Sequence, residues 1–185
     1  MKKIAMSLVA LAVVASAANA AKVDEMGEGG FAEGTLDCSS ATLLTCGGAG
    51  SGANGPGGTV ALYACTGLDY DLSSEVVYEI CLGADGDLTV DMTYAHDGSY
   101  NDLDLFVLGS CDPADCLDFD AATSGVETVT IPGAAAGTYY AVVDGWAGRQ
   151  DGSPHDLSVT CADACGGTPV EETTWGALKT IYVGN

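Results

Sequence analysis

Strict alternation of apolar and polar residues is the sequence feature that most constrains the fold of this chain. In residues 87–94 the side chains of Leu88, Val90 and Met92 fall on one face of an extended strand, and polar side chains fall on the other. Residues 75–82 repeat the pattern. A surface helix repeats its apolar positions every three to four residues, so a period of two predicts β-strands with one buried and one solvated face.

Several further strands are predicted along the chain, and turn signals separate them. The predicted strands are residues 59–65, 75–82, 87–94, 103–109, 126–131, 138–144 and 156–161. Turn-forming Gly, Pro, Asp and Ser residues occur at 84–86, 96–98, 132–133 and 152–154. Seven to eight short strands with tight turns predict an all-β fold, a sandwich of two antiparallel sheets.

The N-terminus decides the compartment in which the sandwich is expected to fold. Lys2 and Lys3 give a positive start, residues 4–18 carry no charge, and a small-x-small site ends at Ala20. This pattern predicts a secretory signal peptide over residues 1–20. The alternative is a transmembrane anchor, but the apolar stretch is shorter than the ~20 residues that a spanning helix needs. We therefore expect a secreted protein, extracellular or at the cell surface, with no membrane span after signal cleavage.

Composition divides the rest of the chain into three parts. Residues 21–58 are acidic and Gly-rich and contain Cys38 and Cys46, which predicts a flexible leader. Its Gly-rich end, residues 47–58, lacks a following helix pattern and a lysine, so it is predicted to be a flexible linker or loop rather than a phosphate site. The sandwich is predicted over residues 59–161 and a C-terminal tail over 162–185.

Eight cysteines follow the predicted signal peptide: Cys38, Cys46, Cys65, Cys81, Cys111, Cys116, Cys161 and Cys165. An even number in an exported chain predicts disulfide bonds. Zinc is the alternative, but there is no Cys-x-x-Cys pair, and neither of the two histidines, His96 and His155, belongs to a Cys/His zinc motif. Spacing favours one pair, Cys111 with Cys116 across a four-residue loop, and leaves the other pairings open.

The chain carries a formal net charge of −21, which limits the classes of partner that it can bind. Nucleic acid and anionic membranes are poor partners for a strongly acidic surface. Two explanations of the charge stay open. The acidic residues keep an extracellular protein soluble, or some of the carboxylates converge on divalent cations, because clustered carboxylates repel one another unless they are compensated.

Four segments occur in an order that resembles the bacterial pre-peptidase C-terminal domain. They are Glu75-Val-Val-Tyr-Glu-Ile80, Asp102-Leu-Asp-Leu-Phe-Val107, Ala136-Gly-Thr-Tyr-Tyr-Ala-Val-Val-Asp-Gly145 and His155-Asp-Leu-Ser-Val-Thr-Cys161. The resemblance covers roughly residues 60–161. It implies a jelly-roll-like β-sandwich of the kind appended to secreted peptidases and other exported enzymes, and related modules bind calcium or extracellular polymers. We therefore expect this module to depart from the usual setting of the family, in which a catalytic domain precedes it.

Oxygen-bearing side chains gather just before the Asp-Leu-Asp-Leu strand. The candidate calcium ligands are Asp97, Asn101, Asp102, Asp104, Asp144 and Asp151. Carboxylate and amide oxygens are the hard ligands that calcium prefers. The segment is not an EF-hand, because Asp102 stands where that loop needs Gly. A sandwich loop can gather ligands from separate turns, and Asp144 and Asp151 complete the shell if the two loops lie at the same end of the sandwich. The alternative for Asp102 and Asp104 is hydrogen bonding to the backbone of neighbouring loops.

The C-terminal tail predicts a short amphipathic helix. Thr173 or Thr174 can cap it, and Trp175, Leu178 and Tyr182 fall on one side. The tail is similar to the Trp-Gly-x-(Ile/Leu)-Lys endings of various exported bacterial proteins. Two roles stay open: a terminal helix that docks on the sandwich, and an export or surface-attachment signal.

The sequence lacks a catalytic signature. There is no Gly-x-Ser-x-Gly and no His-Glu-x-x-His motif, and both histidines adjoin turn residues. We therefore predict a non-catalytic binding or accessory module, stabilised by calcium, that acts on an extracellular polymer, a cell-surface component or a secreted partner enzyme. The alternative is a structural surface protein that is attached or sorted through its C-terminal tail.

Overall fold

The computed structural model describes residues 34–68, 70, 73–96, 101–146 and 153–165. Its strands are β1 (Thr42–Leu44), β2 (Ala49–Ala53), β3 (Val76–Leu82), β4 (Gly86–Tyr94), β5 (Leu103–Leu108), β6 (Cys116–Asp120), β7 (Val126–Ala134), β8 (Gly137–Gly145) and β9 (Pro154–Thr160). The prediction of an all-β fold is confirmed, although the described residues form nine strands rather than seven to eight. The predicted C-terminal helix lies outside the described residues.

The strands form two sheets that face each other. One sheet has five strands in the order β1-β3-β8-β5-β6, and the other has four in the order β2-β9-β4-β7. Neighbouring strands are antiparallel except for β1 and β3, which run parallel, so the expectation of wholly antiparallel sheets is wrong for that pair. Hydrogen-bonded neighbours that are distant in sequence, such as β2 with β9, give the sandwich its jelly-roll-like connections.

The main hydrophobic core fills the space between the two sheets. The apolar face of β4, with Leu88, Val90 and Met92, is fully buried against residues such as Ile80 and Val143 of the opposite sheet. The solvated positions of β4 and β9 carry the polar side chains that alternate with this apolar face. The two-residue period therefore predicted the buried faces of these strands correctly.

A second apolar cluster lies on the other face of the five-stranded sheet. Here the described residues of segment 54–75, which are 54–68, 70 and 73–75, cover the sheet and pack Tyr63 and Tyr70 against Phe106. The ring centroids of Tyr63 and Phe106 are 3.9 Å apart. Strand β5 is therefore buried at every position. The strand predicted over 59–65 is wrong: Val60 and Tyr63 are buried, but the chain there is irregular because it crosses the sheet instead of joining it.

The Gly-rich segment that was predicted as a linker contains an edge strand, β2. A Cβ on Gly52 would lie 2.7 Å from Tyr78 Oη and 2.9 Å from His155 Nε2, and a Cβ on Gly50 would lie 3.0 Å from the Tyr78 ring. Glycine is needed at both inward positions because the Tyr78 ring reaches the backbone of β2. Close packing, rather than chain flexibility, explains the glycines of this strand.

Two further features differ from the sequence prediction. Strand β6 was not predicted, and strand β7 continues through Pro132 and Gly133, where a turn was expected. An edge strand tolerates this because its outer side needs no donor from Pro132, and Gly133 adopts a φ of 62°, which glycine permits.

The eight cysteines form four disulfides: Cys38–Cys111, Cys46–Cys161, Cys65–Cys116 and Cys81–Cys165. The predicted pair of Cys111 with Cys116 is therefore wrong. A 3₁₀ helix, Pro113–Asp115, separates the two residues and Cys116 begins β6, so each sulfur reaches a different covering segment of the chain. Complete pairing is typical of proteins that fold in an oxidising compartment. In the described part of the chain no helix is long and apolar enough to cross a membrane.

Candidate functional site

Four of the candidate calcium ligands, Asn101, Asp102, Asp104 and Asp144, lie at one end of the sandwich, where β2, β4 and β8 end and where β3, β5 and β9 begin. Asp104 and Asp144 are direct neighbours on β5 and β8. Whether the loop residues that precede β5 and follow β8 complete a cation site stays a prediction. Asp97 and Asp151, and the tail residues Trp175, Leu178 and Tyr182, lie outside the described residues.

Asp104 and Asp144 are fully buried beneath segment 54–75. The Tyr70 hydroxyl donates a hydrogen bond to Asp104 Oδ2 at 2.6 Å, and the Tyr63 hydroxyl donates to Asp144 Oδ2 at 2.8 Å. The backbone N–H of Gly145 donates to Asp144 Oδ1 at 2.7 Å. The two carboxylates therefore hold the covering segment to the sheet through tyrosine hydroxyls. For Asp104, the alternative drawn from the sequence was a hydrogen bond to the backbone of a neighbouring loop.

Burial dominates the electrostatics of this pair. It raises the pKa of Asp144 well above its usual range, and the negative charges of Glu75 and Asp104 act in the same direction. The hydrogen bonds from Tyr63 and Gly145 oppose that rise in pKa. Burial also raises the pKa of Tyr63 and Tyr70, helped by the adjacent carboxylates, so both hydroxyls keep their protons and remain donors.

Asn101 connects two loops at the same end of the sandwich. Its Nδ2 donates to the carbonyl of Ala95 at 2.8 Å, and its Oδ1 accepts a hydrogen bond from the hydroxyl of Ser153. Asp102 lies next to it and accepts a hydrogen bond at its carbonyl from the N–H of Trp146. Across the described ranges, no group of three or more His, Cys or acidic side chains converges closely enough to hold a metal ion. Calcium therefore stays a prediction.

Two residues that the sequence did not single out also position the covering segment. Glu75 accepts hydrogen bonds from the N–H groups of Thr59 and Val60 at 2.7 and 2.5 Å. Asn54 donates through Nδ2 to the carbonyls of Ser74 and Val143 at 2.7 and 2.9 Å. Their partners are distant backbone groups, which no sequence pattern identifies.

A groove of about 640 Å³ lies on the outer face of the four-stranded sheet at this end. It is lined by Ser51, Gly52, Thr93, Tyr94, Ala95, Pro154, His155 and Asp156. Ser51, Asp156 and Thr93 are opposite one another on β2, β9 and β4, so they form a polar row across three strands. All three side chains are exposed. The next row towards the end contains Pro154 and Ala95, whose short or compact side chains leave space above the sheet.

The residues between these polar positions turn towards the core. His155 is 3% exposed and its Nε2 lies 2.9 Å from Tyr78 Oη, whereas its Nδ1 has no hydrogen-bond partner. Burial lowers the pKa of His155 to about 4 and raises the pKa of Tyr78 to about 12. Near neutral pH the imidazole is therefore uncharged and the phenol is protonated.

The groove does not place His155 as a base for Ser51. Ser51 is opposite Asp156, which is the neighbour of His155 on β9. Because adjacent residues of a strand face opposite sides of a sheet, the exposed hydroxyl of Ser51 and the buried imidazole of His155 lie on different faces. A nucleophile and its base must be within hydrogen-bond reach of each other. The groove was also missed from the sequence, because Ser51, Thr93 and Asp156 look like ordinary solvent-facing positions.

The chain is similar to several solved structures at low sequence identity. The pre-peptidase C-terminal domain of a collagenase from Bacillus anthracis is 13% identical, covers 65% of this chain and 94% of its own, and has a TM-score of 0.46. The Aeromonas hydrophila periplasmic inhibitor of g-type lysozyme is 19% identical, with coverages of 65% and 96% and a TM-score of 0.40. A family 35 carbohydrate-binding module from Cellvibrio japonicus is 18% identical, with coverages of 70% and 94% and a TM-score of 0.38.

No family model and no curated protein matches the chain. Similarity at TM-scores below 0.5 assigns no function, so the predicted relationship to the pre-peptidase C-terminal domains stays a prediction. The fold and the site define a disulfide-bonded β-sandwich with an open polar groove at one end.

Proposed function

We propose that this protein is a secreted, non-catalytic binding module that holds an extracellular polymer, a cell-surface component or a partner exported enzyme in the groove above β2, β9 and β4. The groove is the observation that carries the proposal. Its row of Ser51, Asp156 and Thr93 offers two hydroxyls and a carboxylate on a continuous sheet surface. A concave surface with a few convergent polar groups is the usual form of a binding site.

The frame of the groove supports binding by a preformed surface. Strand β9 is paired on both sides, with β2 and with β4, so the backbone beneath the polar row is fixed by hydrogen bonds. The disulfide between Cys46 and Cys161 joins the chain just before β2 to the residue just after β9. A rigid site loses less conformational entropy when a ligand binds, which raises its affinity.

The chemistry of the groove supports binding rather than catalysis. The buried imidazole of His155 is uncharged near neutral pH and faces Tyr78, away from the hydroxyl of Ser51. Asp156 is the one carboxylate in the described lining of the groove, whereas acid–base cleavage of a glycoside needs a pair of carboxyl groups across the bond. We therefore propose that the ligand is held and released unchanged.

A pair of matched variants tests the proposed site. Thr93→Tyr places a large ring in the groove, whereas Thr160→Tyr makes the same substitution at another exposed position of the same sheet face. We expect the wild type and Thr160→Tyr to be retained on extracellular polymer and cell-wall fractions in co-sedimentation, and Thr93→Tyr to be released. Equal retention of both variants, with both folded by circular dichroism, would place the binding surface elsewhere and contradict the proposal.

We also propose that calcium stabilises the end of the sandwich that carries the groove. Asp104 and Asp144 are buried carboxylates, and burial of charged oxygens is costly unless a cation or hydrogen bonds compensate it. Asn101 and Asp102 directly precede β5, the strand that carries Asp104. Their oxygen atoms are hard donors of the kind that suits calcium. The proposal is independent of the groove ligand, because the carboxylates lie on the five-stranded sheet and the groove lies on the four-stranded one.

A further inference from the structure

We infer that the groove is specific for an uncharged, hydroxyl-rich glycan whose neighbouring hydroxyl groups donate hydrogen bonds to Asp156. This inference rests on the proposed function and names the class of ligand. It follows from three properties of the groove: the position of its carboxylate, its charge and the shape of its apolar surface.

Asp156 lies at the centre of the polar row. It is paired with Ser51 on one side and with Thr93 on the other, and neighbouring strands are spaced about 4.8 Å apart. A carboxylate accepts hydrogen bonds at two oxygens, which matches two hydroxyl groups on adjacent carbons of a sugar ring. The hydroxyls of Ser51 and Thr93 both donate and accept, so they can bind further hydroxyl groups on either side of that pair.

The charge of the groove argues against acidic ligands. Its described lining contains the carboxylate of Asp156 and no Lys or Arg side chain. His155 adds no positive charge near neutral pH, because burial keeps its imidazole uncharged. The whole chain has 26 acidic and 5 basic residues, so the long-range potential repels anions as well. A uronate polymer would bring like charges to Asp156, and no cationic side chain in the described lining compensates them.

The shape of the apolar surface argues against a polypeptide. Protein interfaces gain most of their affinity from large side chains that enter fully desolvated pockets. Here the outer-face apolar groups are Ala95 and Pro154, which are small and flat, and Tyr94 is partly buried with its side chain packed against the main core. A flat apolar patch beside a polar row suits the face and the hydroxyl edge of a sugar ring.

Affinity electrophoresis of the purified protein tests the ligand class. The probes are a neutral β-glucan and a neutral mannan, with polygalacturonate, chitosan and gelatin as the acidic, basic and polypeptide probes. Asp156→Asn removes the charged acceptor at constant size, and Asp91→Asn makes the same change on the same sheet face outside the groove. We expect a neutral glycan to retard the wild type and Asp91→Asn, and Asp156→Asn to bind it about tenfold more weakly, the loss expected for one hydrogen bond to a charged group.

The outcomes separate the ligand class from the site. Retardation by polygalacturonate, chitosan or gelatin alone, lost in Thr93→Tyr, would overturn the inference of an uncharged glycan ligand and leave the groove as the binding site. Retardation by a neutral glycan that is unchanged in Asp156→Asn would overturn the role of the carboxylate. Retardation that is unchanged in both Thr93→Tyr and Asp156→Asn would overturn the groove as well.

Discussion

His155 and Asp144 are buried at the same end of the sandwich, and burial moves their pKa values in opposite directions. Burial disfavours the charged form of either group, which is the cation for histidine and the anion for aspartate. The two residues therefore give the protein opposite pH dependences of stability, each of which can be isolated by substitution.

Replacement of His155 should reduce the dependence of the free energy of unfolding on pH in the acidic range. The unfolded chain takes up this proton near pH 6.5, whereas the folded state resists it down to a pKa of about 4. Acidification from pH 6.5 to 4 therefore favours unfolding, by about 3 kcal/mol over the whole interval. We expect His155→Gln to lose less stability over this interval than the wild type in urea denaturation. His96→Gln is the control, and an equal loss in all three proteins would contradict the assignment.

Replacement of Asp144 should act in the other direction. Its pKa is raised in the folded state, so its contribution to stability is complete below the unfolded pKa of 3.8 and is lost as the pH rises through the folded value. We expect Asp144→Asn to remove this loss, so that its free energy of unfolding falls less between pH 4 and 8 than that of the wild type. Asp118→Asn, at an exposed position of β6, is the control. Parallel profiles for the wild type and Asp144→Asn would contradict the prediction.

The sequence identified some of these residues but not their partners. Asp104 and Asp144 could be selected because carboxylates inside apolar strands are rare, and the structure places them opposite each other. Tyr63 and Tyr70 could not be selected, because their hydroxyls reach the carboxylates only when segment 54–75 crosses the sheet. Contacts between residues this far apart depend on the fold and leave no local pattern.

At the scale of the element, β2 shows how packing can reverse the local preference of a sequence. Ala-Gly-Ser-Gly-Ala lacks the β-branched and aromatic residues that favour strands, so the segment was predicted as a linker. Strands β3, β4 and β9 were predicted correctly because their own side chains fill the core. In β2 the space is filled by Tyr78 from the opposite sheet, and the strand contributes backbone alone at its inward positions.

A methyl group at Gly52 should therefore destabilise the protein. The added Cβ would lie 2.7 Å from Tyr78 Oη and 2.9 Å from both His155 Nε2 and Val76 Cγ1, which forces the strand or the tyrosine to move. We expect Gly52→Ala to cost about 2 kcal/mol, as overpacked cores do. Ala49→Val, at an exposed position of the same strand, should stay within about 0.5 kcal/mol of the wild type. Equal free energies of unfolding for the two variants would contradict this account of β2.

At the scale of the whole molecule, the disulfides join the covering segments to the sandwich. The Cys65–Cys116 disulfide joins segment 54–75 to the first residue of β6. The Cys38–Cys111 disulfide joins the segment before β1 to the loop after β5. Under non-reducing conditions, peptide mapping should recover the pairs Cys65–Cys116 and Cys38–Cys111. A reduced and alkylated sample is the control. Recovery of a peptide in which Cys111 is joined to Cys116 would contradict the structure and support the pairing that the sequence spacing predicted.

The acidic composition of the molecule is the last property to explain, and the buried carboxylates make it testable. A calcium ion held by the folded state alone stabilises that state, by about 2.7 kcal/mol at a hundred times its dissociation constant. For a chain of this length such a gain raises the melting temperature by several degrees. Magnesium should do much less, because it keeps its water ligands and needs a tight octahedral site.

The test is thermal melting of the chelated protein with increasing calcium. We expect the melting temperature of the wild type to rise with the logarithm of the calcium concentration, and the rise to be lost in an Asp102→Asn and Asp104→Asn double variant. Asp85→Asn with Asp87→Asn is the matched control, because these carboxylates lie at the opposite end of β4 and bind the N–H groups of Ala136 and Gly133. The calcium proposal would be contradicted if calcium left the melting temperature of the wild type unchanged, or raised the melting temperatures of the wild type and of the Asp102 and Asp104 double variant equally. The tyrosine hydrogen bonds alone would then explain the buried pair of carboxylates, and solubility would explain the remaining acidic surface.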